Sequence, residues 1–181
     1  MNKSKIRSKI LKLRKKKFNK NLKINLDKFI SFLKINTRNA KKIGGYYPSN
    51  YEIDDLEILD VLDKQNFKIL LPIVKKNNQM NFYSWSKKDP LKVNKFGIPE
   101  PVSSKILYPD ILLVPLVGYD KNLNRLGYGG GFYDRYIEKI DKIKKVTKIG
   151  LAFSYQKITS IPINQYDKKL DFIVTEKEIV K

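Results

Sequence analysis

DILLVPLVGYDKNLNRLGYGGGFYDRYI, residues 110–137, passes through a strand, a loop, a glycine run and a helix without a break. DILLVPLV (110–117) is almost continuously apolar, which predicts a strand buried on both faces, with Pro115 ending its pairing. GYDKNLN reads as loop. Four glycines then fall within positions 127–131, and FYDRYIEKIDKI takes helical spacing. Strand, glycine loop and helix start, in that order, expose backbone N–H groups. Glycine also removes the side chains that would keep a phosphate away from them.

Outward from this stretch the same alternation recurs. Residues 3–18 have a helical period on Ile6, Ile10 and Leu13 with a basic outer face, and a second helix is predicted near 22–34. IGGYY (43–47) reads as a short strand. Ser49 and Glu52 have capping-box spacing and predict a helix near 52–63. FKILLPIV (67–74), VTKIGLAF (146–153) and DFIVT (171–175) read as buried strands, MNFYSW (80–85) as an alternating neighbour, and KFGIPEP (95–101) as loop. Strands alternating with helices predict one α/β domain over residues 1–181, built on a mostly parallel sheet, with ligands at the carboxyl ends of the strands.

Composition narrows the chemistry. The 38 basic and 18 acidic residues give a net charge of +20, which raises a nucleic-acid partner as a reading. The excess is lysine, however, spread over the whole chain. Only Arg7, Arg14, Arg38, Arg125 and Arg135 are arginines, and guanidinium is the group suited to bidentate phosphate contacts. No RRM, KH, helix-turn-helix or zinc pattern is present. Histidine and cysteine are absent, which excludes His-based acid–base work, thiol chemistry and disulfides. No apolar run approaches the roughly 20 residues of a membrane span, and the basic N-terminus lacks a signal-peptide core. The expected compartment is the cytoplasm, with no membrane partner.

The glycine run is neither a Walker A loop nor a G-x-G-x-x-G, since Phe132 holds the last glycine position. Alone it fits a structural turn as well as a phosphate cradle. Asp134 sharpens the choice: a carboxylate beside a phosphate loop is unfavourable unless a cation such as Mg²⁺ bridges them, although it also suits a first helical turn.

With its preceding strand, this stretch closely resembles the signature of the 5-formyltetrahydrofolate cyclo-ligase (5,10-methenyltetrahydrofolate synthetase) family. In that family a D-x-[IL]-[LI]-[VI]-P strand leads to R-L-G-x-G-x-G-[YF]-Y-D. Lys3 and Arg7 fall on the family's N-terminal helix start, with Arg14 one register further. YPSNYEID (47–54) is similar to its Y-x-P-x-x-x-E-[IVT]-D segment, Gly97–Pro101 to its G-[IL]-P-E-P, and Gln156–Glu176 to its closing segment. Tyr166 stands where many members carry histidine.

The resemblance implies a Rossmann-like three-layer α/β/α sandwich, monomeric, that uses MgATP to close 5-formyltetrahydrofolate into 5,10-methenyltetrahydrofolate. By the same resemblance Lys3, Arg7, Arg125, Leu126, Gly127, Tyr128, Gly129, Gly130, Gly131, Phe132 and Tyr133 would hold ATP. Arg125 and Asp134 would act on the transferring phosphoryl group, and Asp134 and Asp167 would hold Mg²⁺. Tyr47, Glu52 and the Tyr128–Phe132 face would hold the folate, with or without a polyglutamate tail. Glu52 is the candidate acceptor for the pterin's donor edge. Tyr83 and Trp85 are read either as core or as stacking groups. A ligase of the same fold acting on another substrate, and a basic nucleic-acid-binding protein, are the competing readings.

Overall fold

The computed structural model describes residues 2–19 and 21–181. Helices α1 (Lys3–Lys17) and α2 (Leu26–Asn36) lead to strand β1 (Lys42–Gly44), helix α3 (Leu56–Lys64) and strand β2 (Lys68–Val74). The central part holds β3 (Met80–Ser84), β4 (Leu91–Val93), β5 (Pro99–Pro101), β6 (Ile106–Leu107) and β7 (Ile111–Pro115). Then come β8 (Gly118–Tyr119), β9 (Arg125–Leu126), α4 (Phe132–Asp141), β10 (Thr147–Leu151), β11 (Phe172–Val174) and β12 (Ile179–Val180).

One eight-stranded sheet runs β12-β11-β10-β7-β1-β2-β3-β6. Its inner strands, β11 to β2, pair in parallel, and β3, β6 and β12 add antiparallel edges. Strand β7 shows why the run at 111–115 is apolar throughout. Ile111 and Leu113 pack into one hydrophobic cluster with α2 and α3. Leu112 and Val114 pack into a second cluster with α4. Successive side chains leave a strand on opposite faces, so a sheet covered on both sides must be apolar at every position. These two clusters make the three layers.

The connections place the site. From β1 the chain crosses through α3 to β2 on one side, and from β7 through α4 to β10 on the other. The direction of winding therefore reverses between β1 and β7, and their carboxyl ends open a crevice there. A third cluster, Ile6, Ile10, Val117, Leu126 and Ile161, seats α1 over this end.

Several local expectations change. Helix α3 begins at Leu56, not at 52, because Asn50 and Tyr51 adopt left-handed φ of 48° and 61°. Ser49 and Glu52 do bond reciprocally, with Ser49 N donating to Glu52 Oε2 at 2.7 Å and Glu52 N to Ser49 O at 2.9 Å, but they close a turn rather than cap a helix. GYDKNLN is a hairpin turn: Gly118–Tyr119 pairs with Arg125–Leu126, and Asp120 Oδ1 accepts from the N–H groups of Asn122 and Asn124. KFGIPEP is only partly loop, since Pro99–Pro101 pairs with Leu91–Val93; proline is tolerated in so short an edge ribbon. The second helix lies at 26–36 rather than 22–34, capped by the Asn25 side chain. Strand β1 stops at Gly44, short of the predicted 47. On α1 the buried stripe is Ile6, Ile10 and Arg14, with the arginine where Leu13 was expected.

Candidate active site

One cavity of about 1000 Å³ opens at the crevice. Its walls come from the carboxyl ends of strands: Tyr46 and Tyr47 follow β1, Pro72 and Val74 lie in β2, and Pro115 ends β7. Lys3, Arg7, Tyr47, Glu52, Arg125, Asp134, Asp167 and the whole of Leu126–Tyr133 line it, so every site residue expected from the sequence meets there. Tyr83 and Trp85 do not. Tyr83 is 4% exposed and Trp85 packs against the α2–α3 cluster, so both are core.

The glycine run owes its composition to backbone shape. Gly129 has φ of +104° and Gly131 of +67°, regions that disfavour a Cβ. Among the described residues, no backbone N–H from Gly127 to Asp134 donates to another protein group; the first intrachain bond is Arg135 N to Gly131 O. Unbonded amides in sequence, ending at the N-terminus of α4, make an anion-binding concavity.

Arginines surround this loop. Arg7 Nε donates to Gly127 O at 2.7 Å, and Arg14 donates to the Tyr128 hydroxyl. Arg125 Nη2 donates to Asp134 Oδ1 at 2.7 Å and its Nη1 to Lys168 O. Arg135 donates to Gly130 O and, through Nε, to Asn78 O at 3.2 Å. Four of the five arginines thus contact residues 127–134, and the fifth, Arg38, is exposed on the surface.

The two aspartates expected to hold Mg²⁺ stand on the same wall. Asp134 Oδ1 also accepts from Lys168 N at 3.0 Å, and Asp167 Oδ2 accepts from Lys3 Nζ and, at 2.7 Å, from Asn164 N. The turn from Asn164 holds Asp167, and Tyr166, 67% exposed, lines the cavity beside it. Among the described residues the second oxygen of each carboxylate has no protein partner, and no cluster of three or more acidic side chains is present. This donor set fits Mg²⁺, which takes one or two carboxylates and completes its shell with phosphate oxygens and water.

The far wall is aromatic and acidic. Glu52 is 8% exposed, and burial raises its pKa despite the opposing pull of the Ser49 and Tyr128 hydrogen bonds and the Arg14 charge. Burial pushes Asp55 well above the usual carboxylate range; its Oδ2 accepts from Tyr46 N at 3.0 Å. The Tyr133 hydroxyl is buried without a partner, and burial raises it too. Burial also lowers the Arg125 pKa, an effect opposed by Asp134.

The cavity therefore joins an amide-lined, basic half to an aromatic half that presents a carboxylate. The sequence model of the 5-formyltetrahydrofolate cyclo-ligase family matches residues 1–176. This chain belongs to the 5-formyltetrahydrofolate cyclo-ligase family. The cyclo-ligase of Haemophilus influenzae is 35% identical over 143 residues, 75% of this chain and 76% of its own length. The NMR structure of Aquifex aeolicus 5,10-methenyltetrahydrofolate synthetase superposes with a TM-score of 0.80 at 32% identity, covering 99% of this chain and 92% of that one. The synthetase of Mycoplasma pneumoniae gives a TM-score of 0.76 at 26% identity, covering 98% and 100%.

The residues expected from the sequence line this cavity, whereas Arg14, Tyr46 and Phe96 carry no expected role there. Arg14 had a signal: an arginine at the core register of a helix whose other stripe positions are Ile6 and Ile10. Phe96, 52% exposed at the cavity mouth and edge-on to Phe132 at 5.9 Å, had none in its loop-like surroundings.

Proposed function

We propose that this chain converts 5-formyltetrahydrofolate and ATP to 5,10-methenyltetrahydrofolate, ADP and phosphate, with Mg²⁺, in the cavity at the β1–β7 crevice. The observation that carries the reading is the row of unbonded amides from Gly127 to Asp134, framed by arginines, facing a wall with Tyr46, Tyr47 and Glu52. The triphosphate lies along the amides. Lys3 and the terminal nitrogens of Arg7 reach it from α1. Glu52 accepts from the pterin's N–H groups, and the rings of Tyr47 and Phe132 cover its faces.

In this arrangement the formyl oxygen attacks the γ-phosphorus and ADP leaves. N10 then attacks the activated carbon, N10 loses its proton, and phosphate departs with the former formyl oxygen as the ring closes. Such a reaction needs position and charge neutralisation rather than a protein nucleophile, so a chain with no Cys or His suffices. Asp134 and Asp167 would hold Mg²⁺, which when bound would neutralise charge on the phosphate oxygens. Arg125 holds Asp134 in place, and the walls exclude water that would otherwise intercept the phosphorylated carbon.

Equilibrium titration tests the two halves. A non-hydrolysable ATP analogue and 5-formyltetrahydrofolate should each bind one site, and together without mutual displacement. Displacement of one by the other contradicts the two-lobed assignment.

A further inference from the structure

Helix α1 reaches the site twice. Lys3 and Arg7 approach the phosphate half, and Arg14, two turns beyond Arg7, lies behind the glycine loop at 1% exposure. A buried guanidinium needs partners, because an isolated ion in the interior is strongly disfavoured. Among the described residues Arg14 has no ion pair at all. Its Nη1 donates to Leu116 O at 3.2 Å, its Nη2 donates to the Tyr128 hydroxyl, and its Nε is buried without a partner. Its guanidinium carbon stands 5.5 Å from the Tyr128 ring centre.

Packing does not require an arginine here. Position 14 continues the stripe of Ile6 and Ile10, where an unbranched apolar side chain would serve. What the guanidinium adds is a fixed hydroxyl. A tyrosine oxygen that accepts from Arg14 keeps its own proton to donate, and Glu52 stands within reach of both Tyr128 and the Arg14 charge.

We propose that Arg14 is a positioning residue for the folate: acting through the Tyr128 hydroxyl, it fixes the Glu52 carboxylate in the orientation that receives the pterin. The inference rests on the folate reading of the Glu52 wall. Ser49 N donates to Glu52 Oε2 at 2.7 Å, and the Tyr128 side chain that Arg14 holds lines the same cavity as Glu52. One helix thereby serves both halves of the cavity.

The test uses full-length Arg14→Met, Tyr128→Phe, the double variant and Glu52→Gln, titrated calorimetrically with 5-formyltetrahydrofolate and with a non-hydrolysable ATP analogue. Each single change should weaken the folate by about tenfold while the ATP analogue stays within about twofold, and the double variant should lose little more than one single. Folate binding by the wild type should fall on acidification. The groups facing Glu52 are Arg14, Tyr128, Tyr46, Asp55 and Tyr133. Removing Arg14 or the Tyr128 hydroxyl leaves burial less opposed, so that fall should begin at higher pH in both variants, whereas Glu52→Gln should abolish it.

Equal losses for both ligands, additive losses, or an unmoved pH limb would overturn the role of Arg14. Tyr128 is 42% exposed, so Tyr128→Phe carries the test if Arg14→Met fails to fold. A wild type that does not bind 5-formyltetrahydrofolate overturns the folate reading itself. Wild-type binding with unchanged affinity in both single variants overturns only Arg14.

Discussion

Arg125 Nη2 lies 2.7 Å from Asp134 Oδ1, so the arginine expected at the phosphates and the carboxylate expected at the metal hold each other. The Arg125 side chain is 4% exposed and that of Asp134 28%. The pair crosses from β9 to the first turn of α4 and sets the mouth of the glycine loop between them. It orients one carboxylate oxygen inward to Arg125 and leaves the other free.

Asp134→Asn should therefore lower turnover by about a hundredfold or more and shift the Mg²⁺ requirement upward. Turnover measured across a Mg²⁺ titration checks this. Unchanged steady-state kinetics would remove Asp134 from the metal site.

Arg125→Ala should weaken ATP and, because the arginine is buried and also donates to Lys168 O, destabilise the fold by about 2–3 kcal/mol. Nucleotide affinity and the denaturation midpoint, measured on the same preparation, separate the two effects. Loss of stability with unaltered nucleotide affinity would make Arg125 structural only.

Gly129→Ala places a Cβ at a backbone with φ of +104° and 3.4 Å from the Arg7 guanidinium carbon. The strain should cost about 1–2 kcal/mol. The Cβ meets Arg7 at ordinary contact distance, so the strained backbone is what should weaken the ATP analogue more than the folate, which paired titrations will show.

Glu52→Ala should weaken 5-formyltetrahydrofolate by about tenfold or more and leave ATP nearly unaffected. Because burial raises the Glu52 pKa, the wild-type carboxylate takes up a proton at a pH above the ordinary carboxylate value as the solution is acidified. Folate affinity should decline over that window. Equal folate affinity in wild type and variant refutes the assignment.

Asp110 tests the frame rather than the site. Burial by itself would raise its pKa, but hydrogen bonds from Lys144 and from the N–H groups of Lys41 and Lys42, both at 2.8 Å, hold it below the ordinary value. A carboxylate with a depressed folded-state pKa contributes stability that is present above its unfolded pKa and lost as pH falls through the folded one. Asp110→Asn should thus cost about 1–2 kcal/mol at neutral pH and less below about pH 3. Denaturant unfolding at both pH values measures it, and an equal loss at both would contradict the ion-pair account.

The sheet was legible because its strands are buried on both faces: Ile111 to Val114 must be apolar at every position to fill two clusters, and few other structures demand that. The glycine loop was legible because Gly129 and Gly131 are residues its positive-φ backbone selects, and because arginines are rare enough in this chain to stand out. What escaped was set by partners distant in sequence. Asp120 reaches Ile161 as well as its own turn and so converts a polar loop into a hairpin. Ser49 and Glu52 have cap spacing, but the left-handed Asn50 and Tyr51 between them turn the pair toward the cavity. Arg14 stands out as a rare arginine, but its burial shows only once α1 is packed against Val117 and Leu126.

The most direct measurement is absorbance of the methenyl product in a mixture of purified protein, 5-formyltetrahydrofolate, ATP and Mg²⁺, repeated with each of the last three omitted. The account predicts long-wavelength absorbance that grows only when all are present, with ADP and phosphate released one for one. No product in the complete mixture, with the ATP analogue still bound, would contradict the folate assignment of the Tyr47–Glu52 wall.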